Sequence, residues 1–318
     1  AFAPRAIPLL VPHMLAATDD AIDALRTQTG MPVDLREAMQ RLALDIAGRT
    51  MFSFELEKHG AALRGFVNDY GDRLAQPRFF DLLLPLGWPS PSDISRALFR
   101  RRWTRFMQKL IVERRAKGAG DAVPRDLFDL MVAARDPETG EAFTDEQLGD
   151  QVSTMILAGH ETTATALFWS LYLLALDPTT QDELAAEAKS ALAGGTLDAT
   201  RLTFTRAVLD ETMRLYPPAF LIVRAAAGPD AVPGAEIAKG DVVLISPWLL
   251  HRHEKLWDQP NAFRPSRFLP GSPPPDRFAY LPFGVGPRVC IGAQFALTEA
   301  TLALAKLFGT FKVELIDR

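Results

Sequence analysis

The fold of this 318-residue chain is decided by the segment Phe283-Gly284-Val285-Gly286-Pro287-Arg288-Val289-Cys290-Ile291-Gly292. Gly284 and Gly286 permit a tight turn and a close approach of the backbone to a flat group, and Pro287 stiffens that turn. Cys290 precedes a predicted helix, whose N-terminal N–H groups and dipole stabilise a thiolate. Arg288 lies close enough in sequence to reach an anionic group beside it.

Cys290 is the only cysteine of the chain. A lone cysteine beside a glycine turn is usually a buried structural residue. Here five fixed residues stand at fixed spacing, F-x-x-G-x-R-x-C-x-G, which rarely happens by chance and favours a functional thiolate. One cysteine also excludes an internal disulfide and any zinc or iron–sulfur site built from several cysteines.

Composition predicts a soluble globular protein, because 48% of the residues are apolar and 23% are charged. The 35 Lys and Arg against 39 Asp and Glu give a formal charge of −4, which excludes a globally basic nucleic-acid binder. The N-terminus shows no signal-peptide pattern. The longest apolar stretch, 164–176, is too short to cross a bilayer. We therefore expect a cytoplasmic protein with no membrane span and no nucleic-acid partner.

Proline spacing and apolar periodicity predict a mainly α fold with small β-sheets, of the α+β class. Helices are predicted within 33–84, then over 93–117, 144–177, 178–193, 204–216 and 292–307. Strands are predicted at 222–223, 242–245 and 311–315. Loops are predicted over 84–91 and 117–121, and a proline-rich meander over 261–287.

The central helix opens on a capping box of Thr144 and Gln147 and carries unusual polar residues in its middle. Ala158 and Thr162 share one narrow face, and Thr162 can bond a backbone carbonyl. An adjacent Glu161 in so apolar a helix needs a partner, water or a function. The alternative is a core helix that tolerates a few polar residues.

Two further charged patterns have plain structural interpretations. Glu211 and Arg214 stand at i and i+3 on one helix, where a surface ion pair is the default. The helix over 93–117 carries arginines that could attract an acidic partner, although a solvated helix face is favoured. These arginines are Arg100, Arg101, Arg102, Arg105, Arg114 and Arg115.

The cysteine segment resembles the haem-binding loop of the cytochrome P450 family, the haem-thiolate monooxygenases. The resemblance implies haem b (iron protoporphyrin IX) as cofactor, with the Cys290 thiolate as the axial ligand of its iron. It also implies that Phe283 packs against the sulfur and that Arg288 pairs with a haem propionate. Gly284 belongs to the same loop, and Gly292 would let the last helix lie close under the porphyrin.

The stretch 158–163 resembles the distal helix of the same family, with its A/G-G-x-D/E-T-T/S pattern. By that resemblance Glu161 and Thr162 deliver protons during activation of dioxygen. His160 falls at the unspecified position and is not expected to bind metal. Arg224 stands where the family often has a second propionate-binding arginine. The resemblance and the apolar character of the segment predict a substrate pocket lined by Ala158, Ala219, Phe220, Leu221 and Ile222.

Glu211 and Arg214 resemble the family's characteristic E-x-x-R pair. Arg267, in the segment 265–268, matches the arginine that completes it from the meander. The implied role is structural, since the three side chains would tie the meander to the core and hold the cysteine loop rigid.

The resemblance covers most of the chain from about residue 35 onward, as one haem-thiolate domain over 1–318. Its parts are a helix-rich core over 33–216, a strand and meander region over 217–282, and the haem-binding loop with the last helix over 283–307. The family's N-terminal part, with its W-x-x-x-R helix, and its last C-terminal hairpin are expected to be lacking. The single W-x-x-x-R match, Trp248 to Arg252, is taken as chance.

We predict a bacterial-like monooxygenase that inserts one oxygen atom from dioxygen into a small apolar substrate, by hydroxylation or epoxidation. Electrons would come from a separate ferredoxin or reductase-like donor, and a monomer is expected. One alternative is a haem-thiolate peroxygenase or isomerase, against which Glu161 and Thr162 argue. The other is an inactive, truncated haem-binding protein.

Overall fold

The computed structural model describes residues 4–53, 56–71, 91–116, 124–195 and 197–316. It is mainly helical with two small sheets, which confirms the predicted fold class. The chain divides into two compact units. The first comprises Ala1–Ala17 and Arg41–Glu161, and the second comprises Thr18–Gln40 and Thr162–Arg318.

The described segments contain ten α-helices and four strands. The helices are α1 (Ile7–Arg26), α2 (Leu35–Phe52), α3 (Leu56–Asp69), α4 (Pro91–Ala116), α5 (Leu127–Ala133), α6 (Asp145–Leu176), α7 (Pro178–Ala193), α8 (Thr203–Leu215), α9 (Pro247–Leu250) and α10 (Ala293–Thr310). The strands are β1 (Ile222–Ala225), β2 (Asp230–Val232), β3 (Ala235–Ile237) and β4 (Val242–Ile245). Two short 3₁₀ turns matter for the site, Pro265–Phe268 and Gly286–Arg288.

Part of the sequence prediction lies outside the described residues. This applies to 72–84 of the first helical region, to the loop over 84–90 and to the connection over 117–121. The helix that follows the predicted loop begins at Pro91 and ends at Ala116, close to the expected bounds.

An aromatic cluster joins α3 to α4 in the first unit. Phe66 lies 5.5 Å from the ring of Trp103 in edge-to-face geometry and 5.1 Å from that of Phe106. The Trp103 indole also donates a hydrogen bond of 2.7 Å to Ser153 Oγ on α6. Rings in these geometries add to the stabilisation from their buried area, so the cluster holds the two helices together.

The prediction that the arginines of α4 form a solvated face is wrong for Arg114. Its side chain is buried and donates to Asp126 at 2.8 Å and to Asp129 at 3.0 Å. Asp126 also accepts from Ser53 and caps the N-terminus of α5. The sequence did not show this because the two aspartates lie beyond the helix. Arg100, Arg101 and the other three remain exposed.

Helix α6 starts and stops as predicted. The Thr144 backbone donates to Gln147 Oε1 at 2.9 Å and the Gln147 backbone donates to Thr144 Oγ1 at 3.2 Å, which confirms the capping box. Asp177 separates α6 from α7, where its carboxylate accepts from the Thr180 N–H and Pro178 takes the first helical position. No helix in the described parts of the chain is long and apolar enough to cross a membrane.

Helix α10 forms the core of the second unit and packs against α7 and α8. Its residues 302–305 are almost completely buried, as expected for a helix surrounded by protein. Gly309 permits the close approach to α7, because a Cβ there would lie 2.7 Å from a methyl group of Leu192. A larger residue at this position would require the Leu192 side chain to move.

The N-terminus of α8 is capped by a residue from another helix. Leu202 at the N-cap offers no side-chain acceptor. The Glu187 carboxylate on α7 instead accepts from the N–H groups of Phe204 and Thr205, both at 2.8 Å. A negative charge at this end of a helix is stabilised by its dipole, so the contact joins α7 and α8.

The two sheets are antiparallel pairs. Strands β1 and β4, both predicted, pair with Ile222 opposite Ile245. Strands β2 and β3 form a hairpin that the sequence analysis missed. Its signal was the dipeptide Pro233-Gly234, whose glycine has φ +89°.

The strand predicted over 311–315 is wrong. The backbone there pairs with a side chain: the Val313 N–H donates to Gln181 Oε1 at 2.8 Å, and the Val313 carbonyl accepts from Gln181 Nε2 at 3.1 Å. One amide thus takes both backbone groups that a neighbouring strand would bind. Within the described residues this segment joins no ladder, although its composition favours a strand.

Gln181→Ala is expected to lower the free energy of unfolding by about 1–3 kcal/mol. The buried amide also bonds the Leu174 carbonyl, so its removal leaves polar backbone groups without their partner. Urea unfolding measures the change. Gln294→Ala, which removes an exposed amide from α10, serves as control, and equal values for the two variants would contradict this account.

Candidate functional site

The cysteine loop is a compact turn closed by backbone hydrogen bonds. Gly284 and Gly286 have φ values of +72° and +74°, a region that favours glycine. The Cys290 N–H donates to the Phe283 carbonyl at 2.9 Å, and the Val289 N–H donates to the Gly286 carbonyl at 3.0 Å. The first of these bonds joins the two ends of the loop and so determines where Cys290 lies.

Cys290 is exposed and sits among exposed apolar side chains. Val285, Val289 and Ile291 are 40%, 49% and 71% exposed, and the Arg288 side chain is exposed beside them. A thiol bordered by apolar groups and one cation fits a flat apolar group with a soft metal centre and an anionic edge.

The metal-ligand chemistry of this loop rests on the Cys290 thiol. Haem iron takes a thiolate as its axial protein ligand, because the porphyrin ring supplies the nitrogen ligands, so Cys290 fits haem. In the described parts of the chain, no group of three or more His, Cys, Asp or Glu side chains could hold a metal ion.

Gly292 lies between the cysteine and the last helix. It forms the N-cap of α10, and its carbonyl accepts from the Ala296 N–H at 2.8 Å. A Cβ at Gly292 would lie 3.9 Å from Cys290 Sγ, which is an ordinary contact. Cys290 therefore stands directly before the helix N-terminus, where the sequence predicted it.

Glu211 and Arg214 are both fully buried. The Arg214 guanidinium donates to both Glu211 carboxylate oxygens, at 2.7 and 2.8 Å. Its three remaining N–H groups donate to backbone carbonyls at 2.7–2.9 Å, so all five donors of the arginine are used. The default expectation of a surface ion pair is wrong for this pair. The three carbonyls belong to His251, Pro260 and Ala262.

Arg267 joins the same pair from the 3₁₀ turn over 265–268. Its Nε donates to Glu211 Oε1 at 3.3 Å, and its Nη2 donates to the carbonyls of Asp258 and Gln259. The Arg264 backbone N–H adds a bond of 2.8 Å to Glu211 Oε1. The Glu211 carboxylate therefore binds Arg214 at the end of α8 and both Arg264 and Arg267 in the meander.

Tyr280 and Asp210 form a second link between α8 and the meander, which the sequence analysis missed. Tyr280 Oη donates to the carbonyl and to the carboxylate of Asp210, at 2.9 and 3.0 Å. Burial raises the pKa of Asp210, while the Arg206 guanidinium at 2.8 Å opposes that shift. Nothing in the local sequence pattern indicates this contact, because 70 residues separate its partners.

In the middle of α6, Ala158, Glu161 and Thr162 are exposed. His160 points the other way and is buried, with Nδ1 2.9 Å from the Ile156 carbonyl oxygen one turn earlier. Burial lowers the pKa of His160. The His160 Nδ1 therefore has its partner within its own helix.

The segment before and within β1 is largely exposed in the second unit. Phe220 and Leu221 expose large apolar side chains, Ala219 is exposed and Ile222 is half-buried. Arg224, on β1 opposite Val243, is exposed, and its Nη1 donates only locally, to the Val223 carbonyl at 2.9 Å. Apolar surface and one cation therefore occur together here, as they do at the cysteine loop.

Trp248 and Arg252, the single W-x-x-x-R match of the sequence, form a direct contact. The Arg252 guanidinium carbon lies 3.6 Å from the centroid of a Trp248 ring and 5.3 Å from that of Tyr216. Tyr216 in turn stacks on Trp169 of α6 at 3.9 Å. The pair thus belongs to an aromatic stack with a cation inside it.

Comparisons with known proteins identify this architecture. The sequence profile of the cytochrome P450 family matches residues 2–318. The chain belongs to the cytochrome P450 family. Among P450 structures, the haem domain titled cytochrome P450DA superposes with a TM-score of 0.84 at 30% identity, covering 97% of this chain and 68% of that one.

Two P450 relatives come from Streptomyces melanosporofaciens. Cyclooctatin synthase is 35% identical over 89% of this chain, and cyclooctat-9-en-7-ol 5-monooxygenase is 30% identical over 96%. The matches cover 62% and 67% of those proteins. The chain thus spans less than two thirds of the length of cyclooctatin synthase and about two thirds of that of the monooxygenase.

Arg267→Ala is expected to reduce the free energy of unfolding by about 1–3 kcal/mol, because it removes bonds to a buried carboxylate and two carbonyls. Arg264→Ala is the matched control: it keeps the backbone bond to Glu211 and loses an exposed ion pair with Asp258, worth less than about 1 kcal/mol. Urea unfolding of both variants decides the point. A cost for Arg264→Ala equal to that for Arg267→Ala would contradict it.

Proposed function

We propose that this protein is a haem-thiolate monooxygenase that inserts one oxygen atom from dioxygen into an apolar organic substrate. The observation that supports it most strongly is the exposed Cys290, directly before the N-terminus of α10 and bordered by apolar side chains. Membership of the P450 family supports the same reaction class.

Cys290 would supply the one protein ligand to the haem iron. Haem ligated by a thiolate supplies the activation of dioxygen and the transfer of one oxygen atom. Arg288 and Arg224, both exposed cations, would each pair with a propionate. Phe283, Gly284 and Gly292 would shape the turn against which the ring and the sulfur pack.

Glu161 and Thr162 would handle protons. They are adjacent residues on α6, both exposed within a largely apolar helix. A carboxyl group and a hydroxyl side by side can hold a proton and pass it on through hydrogen bonds.

The substrate would be small and apolar. Ala219, Phe220, Leu221 and Ile222 offer apolar surface before and within β1, and Ala158 offers a small apolar side chain on α6. The name cyclooctat-9-en-7-ol 5-monooxygenase assigns that relative an unsaturated alcohol as substrate, and we propose a compound of similar polarity here. Electrons would come from a separate ferredoxin or reductase-like donor, and the chain would act as one domain and as a monomer in the cytoplasm.

Cys290→Ala is expected to abolish the thiolate-type Soret band of the reduced, CO-treated protein, because the chain holds no second cysteine. The measurement is an absorption spectrum after loading with haem. Val289→Ala, which shortens an exposed neighbour, should keep the band. A parent protein without the band, or a Cys290→Ala variant that retains it, would refute the proposed ligand.

Glu161→Gln is expected to slow oxygen transfer by about a hundredfold, the scale of losing one positioned proton donor. Glu146→Gln, in the exposed first turn of the same helix, should leave the rate unchanged. Turnover is measured with dioxygen and a reductase system, and separately with peroxide. Equal rates in parent and Glu161→Gln with dioxygen would refute the proton role, and turnover with peroxide alone would indicate a peroxygenase.

A further inference from the structure

His251 follows α9 and is fully buried. It exchanges two hydrogen bonds with Arg214: Arg214 Nη1 donates to the His251 carbonyl at 2.8 Å, and His251 Nδ1 lies 3.2 Å from the Arg214 carbonyl oxygen. The histidine is therefore joined by both its backbone and its ring to the arginine that organises the end of α8.

The third contact of His251 determines which ring nitrogen carries the proton. The Leu281 backbone N–H donates to His251 Nε2 at 2.8 Å. A backbone N–H can only donate, so Nε2 must present its lone pair and Nδ1 must carry the hydrogen that is given to the Arg214 carbonyl. Burial lowers the pKa of His251 to about 4, in agreement with a neutral ring.

Leu281 leads directly into the cysteine loop. Its N–H is held by His251, and its carbonyl accepts from the Gly284 N–H at 3.2 Å. Two residues later, the Phe283 carbonyl accepts the Cys290 N–H. An unbroken series of hydrogen bonds and short backbone segments therefore runs from the buried Arg214, through the imidazole, to the two ends of the loop.

We propose that His251 is a positioning residue for Cys290: its Nδ1-protonated imidazole holds the first segment of the cysteine loop through Leu281 and would thereby keep the thiolate on the haem iron. This inference rests on the proposed role of Cys290 as iron ligand. Neither Glu211 nor Arg267 touches Leu281 in this way, so His251 has a task separate from theirs.

Three substitutions of His251 distinguish its ring contact with Leu281 from its ring contact with Arg214. His251→Gln places an amide oxygen near the position of Nε2 and keeps an acceptor for Leu281. His251→Asn places a donor near Nδ1 and keeps only the contact to Arg214. His251→Phe keeps the buried ring without either contact. His59→Phe, which removes another buried imidazole in the first unit, is the control for general destabilisation.

The main measurement is the Soret band of the reduced, CO-treated holoprotein, followed as thiolate ligation is lost. We expect His251→Phe and His251→Asn to lose it about tenfold faster than the parent, the factor expected for one buried hydrogen bond. His251→Gln and His59→Phe should lose it at the parent's rate. Nitrogen-15 shifts of the His251 ring should independently show the hydrogen on Nδ1.

Each other result has a definite consequence. Parent-like loss in His251→Asn, or loss in His251→Gln as fast as in His251→Asn, overturns the positioning role. A ring hydrogen on Nε2 also overturns it. If His251→Phe does not fold, the comparison of Gln with Asn still decides. A parent protein that never shows the thiolate band refutes the proposed function itself, whereas failure of this inference alone leaves that band intact.

Discussion

The second unit depends on one buried guanidinium. Arg214 donates five hydrogen bonds, two to Glu211 and three to carbonyls between residues 251 and 262. A buried charge with any donor unpaired would be costly, so every carbonyl around it must stay in place. That requirement gives the irregular segment 251–262 the fixed geometry that a sheet or helix would otherwise provide.

The position of the cysteine loop depends on the hydrogen bonds around Arg214. The loop has its own turn, made by two glycines with positive φ and closed by the Cys290 to Phe283 bond. A turn alone has no fixed place relative to the core. The contacts of His251 and Tyr280 supply it, since both side chains bind α8. Tyr280 lies just before the loop in the chain, and His251 accepts a hydrogen bond from the Leu281 N–H at the start of it. A reactive group on a loop can thus be held by buried polar contacts that touch no ligand.

Several features of the fold were predictable because their causes are local. The capping box of α6, the break at Pro178 and the pairing strands β1 and β4 each follow from a few adjacent residues. The failures have non-local causes. Residues 311–315 favour a strand, yet their backbone bonds the Gln181 side chain, 132 residues away. Arg114 belongs in sequence to a group of exposed arginines on α4. Its side chain is nevertheless buried, where it pairs with Asp126 and Asp129 from beyond that helix.

Short sequence patterns establish the family, the cysteine loop around Cys290 and the adjacent pair Glu161 and Thr162, because each depends on residue types at short, fixed spacing. The folded structure was needed to show that Glu211 and Arg214 are buried rather than on the surface, that Glu187 caps α8, and that His251 is neutral with its hydrogen on Nδ1. The physical reason is that burial and proton placement depend on which distant groups surround a side chain, and short sequence patterns do not contain that information.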